Sequence, residues 1–186
     1  MTAPGTEYPS GTIAHAFTPF QMNRPTKSRQ ALGLVAFLAV TFAAGIVGAI
    51  ASISAVKFYA ELSKPSWAPP AWLFGPVWSV LYVMIAVSAW LVWRDHGLRG
   101  ARTPLIVWVL QLVANALWTW LFFTLRSGAL SMAEIVVLWL LIATTIRMFW
   151  PLDRIAALLL VPYLVWVSFA SALTYACWTR NPMLLG

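Results

Sequence analysis

Charge is what this sequence has least of. Asp, Glu, Lys and Arg together make up 9% of its 186 residues, apolar residues make up 61%, and the mean hydropathy is +0.80. A water-soluble domain of this length needs more charge to cover its surface, so the chain is built for hydrocarbon. Acids are scarcest, five against twelve Lys and Arg, for a net charge of +7. In a soluble protein such an excess would point to nucleic acid. Here the cations lie mostly between apolar runs and form no basic stripe, which argues against nucleic acid and for helix anchoring at lipid headgroups. Cysteine is nearly missing: Cys177 stands alone, so no intramolecular disulfide can form. Its place inside an apolar run makes it a small buried hydrophobe. His15 and His96 lack neighbours of metal-ligand spacing, so no metal site is expected. Nothing forms a hydrolytic triad or a nucleotide loop, and no catalytic residue is assigned.

What is present is a series of long apolar runs. Residues 1–30 precede them, rich in Thr, Ser, Pro and Gly. They read as a disordered tail ending in a basic anchor of Arg24, Lys27 and Arg29. They do not read as a secretory signal, because the first apolar run starts only at Ala31 and is too long. A helix needs about 20 apolar residues to cross a bilayer core. Five segments meet that need, at about 32–56, 77–93, 104–125, 130–150 and 155–178. The expected fold is all-α, an integral membrane bundle of five transmembrane helices over residues 31–181. Residues 182–186 form a short C-terminal tail.

Local features refine this picture. In the first span Ala44, Gly48 and Ser52 stand four apart, a small-residue face suited to close helix approach. Plain packing is the expectation, with homodimerisation left open. The following stretch, KFYAELSKPSWAPPAWLFGP, carries Pro65, Pro69, Pro70 and Pro76, so it is not one continuous helix. Pro69-Pro70 favours a stiff extended connector that holds Trp67, Trp72 and Phe74. Trp67 fits an interfacial aromatic belt equally well.

Trp78, Tyr82 and Ile85 share one face of the second span. In the third, Trp108, Gln111, Asn115 and Trp118 form a single stripe. An unpaired amide is costly in hydrocarbon, so Gln111 and Asn115 face the interior, a cavity or a neighbouring helix. Ser131-Met132-Ala133-Glu134 fits a capping box at the start of the fourth span, which gives Glu134 a structural role. Pro162 interrupts the ladder of the fifth, where Trp166 and Phe169 to Ala170 share a face.

Three of these stretches occur together in a known family. KPSWAPPAWLFGPVWSVLY, then QLVANALW with Phe122-Phe123 and Arg126, then VPYLVWVSFASAL, resemble the tryptophan-rich sensory proteins. The animal members are the translocator proteins, once called peripheral benzodiazepine receptors. The resemblance covers about residues 32–181 in order and spacing. It implies a five-helix membrane bundle that binds porphyrins, haem-related tetrapyrroles, sterols and synthetic aromatic ligands. The pocket it implies lies toward one end, under the long first loop. By motif it would use Trp72 and Phe74 of that loop, Trp78 and Tyr82, Asn115 and Trp118, and Trp166 and Ala170. Two positions depart from the family pattern. Trp120 stands where Pro is usual, which is expected to straighten a helix kink. Thr174 stands where Asn is usual, which weakens the neighbouring sterol motif, read here as Leu173 and Tyr175 with Arg180.

The expected function is a membrane receptor or carrier for porphyrins and related tetrapyrroles, and for sterols, in a sensory or regulatory role. No cofactor is required beyond that ligand, and the lipid bilayer is the constant partner. A flat macrocycle suits a pocket of indole faces, and Lys64 near the mouth would meet propionates. One alternative that the resemblance implies is a light-dependent porphyrin-degrading enzyme with pocket tryptophans as redox groups. The other is a small-solute transporter, although the spans show neither convincing mid-membrane ionisable groups nor an internal repeat.

Five spans put the tail, the second loop and the fourth loop on one face. That face holds Arg24, Lys27, Arg29, Arg94, Arg99, Arg102, Arg147 and Arg154, eight cations. The opposite face holds four, Lys57, Lys64, Arg126 and Arg180. The positive-inside rule then makes the N-terminus cytoplasmic in a bacterial host and the C-terminus external, in a membrane the sequence does not specify. Reporter fusions at the two termini should report opposite sides. Both ends on one side would overturn the topology.

Overall fold

A backbone in hydrocarbon has no water to satisfy its N–H and C=O groups, and a helix satisfies them within one segment. The computed structural model, which describes residues 26–53 and 55–186, follows that rule. It is all-α, with no strand among the described residues. Helix α1 spans Lys27–Ala51, α2 Ala55–Glu61, α3 Phe74–Gly100 and α4 Arg102–Thr119. Then come α5 Gly128–Phe149, α6 Arg154–Leu159, α7 Val161–Arg180 and the single turn α8 Pro182–Leu185. Five stretches are long and apolar enough to cross a membrane: α1, α3, α4, α5 and the α6–α7 pair. The expected five-helix bundle is the fold. Expectations for residues 1–25, Arg24 included, lie outside the described residues.

The spans close around a common core. α1 packs on α3 and α4, α4 on α5, α5 on α7, and α6 returns to α3. Ile85, Val92, Trp108, Ile142, Phe149 and Tyr163 are buried where they meet. The stripe of Ala44, Gly48 and Ser52 is used within the chain: Gly48 is buried against Thr119 and Ala116 of α4.

The boundaries shift for identifiable reasons. α1 starts at Lys27, taking Lys27 and Arg29 into its first turn. It stops at Ala51, where Ser52 leaves helical geometry (φ −95°, ψ 7°), so residues up to 56 are not part of the span. The proline-rich connector is not continuous helix. Pro70 is extended (φ −65°, ψ 148°), and one 3-10 turn, Ala71–Leu73, leads into α3. Pro76 falls in the first turn of α3, where a missing N–H leaves no helical bond unmade. Near the other end of α3, Gly97 takes φ 67°, a left-handed conformation open to glycine.

Two expectations are corrected. The capping box does not form. Ser127 is the N-cap of α5, its Oγ accepting from the Leu130 amide at 3.4 Å, and Ser131 donates its hydroxyl back to the Ser127 carbonyl at 2.6 Å. Glu134 therefore lies a turn too deep to cap. It is buried, and neither carboxyl oxygen has a hydrogen-bond partner among the described residues.

Trp120 does not straighten α4 either. Residues Trp120–Thr124 form a π-helix, with the Leu125 amide donating to the Trp120 carbonyl at 2.9 Å. The wider turn lets Phe122 stack on Trp118, with ring centroids 5.1 Å apart and planes 12° apart, while Phe123 meets both edge-on. In the short C-terminal tail, residues 182–186, the turn α8 buries Leu185.

Pro162 interrupts the last span as expected. The helix breaks at Leu160, Pro162 sits in the first turn of α7, and Asp153 caps α6 by accepting from the Ala156 amide at 3.0 Å. Asp153→Ala should lower stability by about 1 kcal/mol, whereas Asp153→Asn should cost little. Thermal unfolding of the detergent-solubilised variants checks this, and equal stabilities would remove the cap.

Candidate functional site

Toward the end of the bundle where α2 lies, the spans part and enclose a cavity of about 440 Å³. Phe42, Gly45, Gly48 and Ala49 of α1, with Ser52 just past its end, make one wall, and Phe74, Trp78 and Tyr82 of α3 another. α4 and its π-helical end bring Asn115, Trp118, Thr119, Phe122 and Phe123. α7 brings Trp166, Ala170, Leu173, Thr174 and Cys177, and Tyr59 and Ala71 close the end. None of the lining side chains is charged.

Three spans meet at Asn115. The Tyr82 hydroxyl donates to its Oδ1 at 3.0 Å, and its Nδ2 donates to the fully buried Tyr163 hydroxyl at 3.2 Å. Both ends of the amide are thus satisfied, one toward α3 and one toward α7. Aromatic edges extend the node: Trp78 lies 5.3 Å from Tyr82 and 6.0 Å from Tyr163 between ring centroids. Trp166 meets Phe74 edge-on at 5.9 Å.

The connector between α2 and α3 is tied down by polar contacts. The Tyr59 hydroxyl donates to the Pro69 carbonyl at 2.9 Å. Burial, reinforced by Cys177, pushes the Tyr59 phenol up to about 12, so it stays a neutral donor. Lys64 Nζ donates to the carbonyls of Tyr59 and Leu62 at 2.5 and 3.1 Å and lies 4.8 Å from the Tyr59 ring centroid. Lys64 is therefore engaged in holding the connector. Asn181, at the end of α7, accepts from the Ser63 amide at 2.8 Å and donates to the Ser63 carbonyl at 3.0 Å.

Of the eight pocket residues named from the sequence, Phe74, Trp78, Tyr82, Asn115, Trp118, Trp166 and Ala170 line this one cavity. Trp72 does not. It is 71% exposed, because within the 3-10 turn its neighbour Ala71 takes the inward position. The sterol motif is split: Leu173 lines the cavity, Tyr175 is 56% exposed on another face of α7, and Arg180 is exposed at its end. Trp108 and Gln111, on the same stripe as Asn115, lie in the packed core, where the Trp108 indole donates to the Ile85 carbonyl at 3.2 Å.

Several positions at the cavity and at the Asn115 node were missed from the sequence. Tyr163 stands three before Trp166 and seven before Ala170, so helical spacing alone could have found it. The α1 wall carried only a small-residue signal, which packing explains equally well. Tyr59 lies in the short helix α2 and the Phe122-Phe123 pair in the π-helical turn, both too short for periodicity to be read.

The chain was then compared with known proteins. The profile of the TspO/MBR family matches residues 36–179. Over 143 residues the chain is 42% identical to the protein CrtK of Rhodobacter capsulatus, an alignment covering 75% of this chain and 86% of that one. It is 34% identical over 160 residues to the tryptophan-rich protein TspO of Chlorobaculum tepidum, covering 83% and 99%. It is 35% identical over 128 residues to the translocator protein of Homo sapiens, covering 68% and 76%. With a match that reaches all five spans, this membrane protein belongs to the TspO/MBR family.

Proposed function

We propose that this protein is a membrane receptor or carrier that holds a porphyrin or related tetrapyrrole in the cavity, in a sensory or regulatory role. The observation that carries the reading is the lining: Phe74, Trp78, Tyr82, Trp118 and Trp166 around about 440 Å³, with no charged side chain. A flat ring system gains burial and edge or face contacts from such walls. An ionised group among them would lose hydration with nothing to replace it. A tetrapyrrole would therefore place its ring inside and its carboxylates at the end of the bundle where Lys57 and Arg126 are exposed. A sterol nucleus suits the same apolar walls, with Leu173 as the motif residue within reach. A relative from Cereibacter sphaeroides named a tryptophan-rich sensory protein, and the translocator proteins, are in keeping with a sensing or carrying role. The charge asymmetry supports a cavity end outside the cytoplasm in a bacterial host.

Trp166→Phe and Asn115→Leu test this together. Trp166 touches Phe74 and Phe169 through its ring, and Phe keeps a ring there, so the variant should melt close to wild type. It should bind protoporphyrin more weakly by roughly 0.5–1.5 kcal/mol and lose much of the tryptophan quenching. Asn115→Leu strips the partner from two tyrosine hydroxyls and should cost about 1–2 kcal/mol of stability. The deciding data are melting temperature and protoporphyrin affinity for both variants in one detergent. Wild-type affinity in Trp166→Phe would mean that porphyrin binds elsewhere or not at all.

A further inference from the structure

The walls of the cavity are held very unequally. On the connector side, Tyr59, Lys64 and Asn181 together make the five hydrogen bonds that fasten residues 59–69 to themselves and to α7. On the α1 side few residues are buried. α1 has three buried residues, Thr41, Gly48 and Ala51, whereas α3, α4, α5 and α7 each have five or more. Near the cavity it approaches α3 partly through a missing side chain, since a Cβ on Gly45 would collide with the Tyr82 ring, and Phe42 meets that ring edge-on at 5.9 Å. Ile46 and Ala49 of α1, and Gly75 and Ser79 of α3 opposite, line the cavity and are also exposed on the outer surface. The cavity therefore reaches the lipid-facing side between α1 and α3.

On the seam between α1 and α4, one side-chain hydrogen bond joins the two spans among the described residues. The indole of Trp120, in the π-helical segment, donates to the Val47 carbonyl at 3.2 Å. Trp120 is 37% exposed, so its ring lies across the outside of the seam. A matching bond holds the other end of α1, where the Trp90 indole donates to the Gln30 carbonyl at 2.9 Å. Gln30 and Val47 are about 25 Å apart along the helix. In hydrocarbon no water replaces a broken bond, so each indole resists separation of the helices it joins.

We propose that α1 is the movable wall of the cavity and that the Trp120–Val47 hydrogen bond is the strap limiting its opening. Ligands are then taken from the bilayer leaflet between α1 and α3, and not from water through the connector. The ligand class this selects is a flat, largely apolar molecule already dissolved in the membrane. The strap follows from the geometry, whereas a tetrapyrrole as the molecule admitted rests on the function proposed above.

Cys177 supplies a native probe, since it is the sole cysteine, is 1% exposed and lines the cavity. Its alkylation by N-ethylmaleimide in liposomes reads opening without any ligand. Trp120→Phe deletes the donor and keeps a ring; Trp90→Phe does the same at the far end. Labelling should accelerate in Trp120→Phe on the order of three- to tenfold, the size expected for one interhelical bond, and stay at the wild-type rate in Trp90→Phe. An unchanged rate in Trp120→Phe, or equal acceleration in both variants, overturns the strap. A charged, membrane-impermeant maleimide should label all three proteins slowly; labelling as fast as with N-ethylmaleimide would overturn the lipid route. Protoporphyrin should protect Cys177 in the wild type. Failure to protect, with the variants behaving as expected, counts against the tetrapyrrole and leaves the strap standing.

Discussion

The amide of Asn115 sits at the point where this bundle changes from filled to hollow. Hydrocarbon offers no solvent to a polar group, so a side-chain amide within a span must find protein partners. Asn115 finds two, accepting from Tyr82 on α3 and donating to Tyr163 on α7. On one side of that node Ile85, Val92, Trp108, Ile142 and Phe149 fill the space among the spans. On the other side the same helices part, and the cavity begins. A hydrogen-bonded trio is directional where apolar packing is not. Its fixed geometry holds α3, α4 and α7 in position while the space beside them stays open.

The cavity lining is uncharged, and two of the cations near it are turned to other contacts. Lys64 gives its ammonium to two backbone carbonyls, and Arg126 lays its guanidinium 4.5 Å from the Phe58 ring centroid. Both contacts stabilise the end of the bundle and keep positive charge out of the lining. What remains inside is ring surface with a few hydroxyls and one satisfied amide. Such a surface discriminates by shape and flatness, and any charge on a ligand is turned toward the rim.

Much of this was legible in the sequence, and the gaps have physical causes. Apolar runs of bilayer length fix the five spans, because hydropathy over about 20 residues averages out local detail. The stripe through Asn115 and Trp118 and the face through Trp166 and Ala170 were readable for the same reason, since helical spacing is regular within a span. Boundaries were less readable. The capping box at Ser131 matched a pattern, but Ser127 lay four residues earlier with an equally good oxygen, and the first cap in the chain formed the helix. Trp120 shows the same limit. Proline leaves a mark in sequence, whereas a π-turn is selected by how Trp118, Phe122 and Phe123 pack, and that depends on partners distant in the chain. Trp72 was placed by motif, yet a 3-10 turn of three residues decides which neighbour faces inward. No periodicity exists over three residues.

The abundance of tryptophan follows from two separate needs of a hollow membrane bundle. Trp78, Trp118 and Trp166 present ring surface to the cavity. Trp90, Trp108, Trp120 and Trp139 instead use the indole N–H to reach a neighbouring span: the carbonyls of Gln30, Ile85 and Val47, and the Ser168 hydroxyl. A bundle whose interior is partly empty gives up dispersion contacts that a filled core would supply. Leucine could restore area but not direction. Tryptophan supplies area together with one donor that can reach a neighbouring span. The bonds α3 to α1, α4 to α3 and α4 to α1 link three of the five spans, and the α5–α7 bond joins the other two to each other. One residue type therefore lines the cavity and also fastens the helices around it.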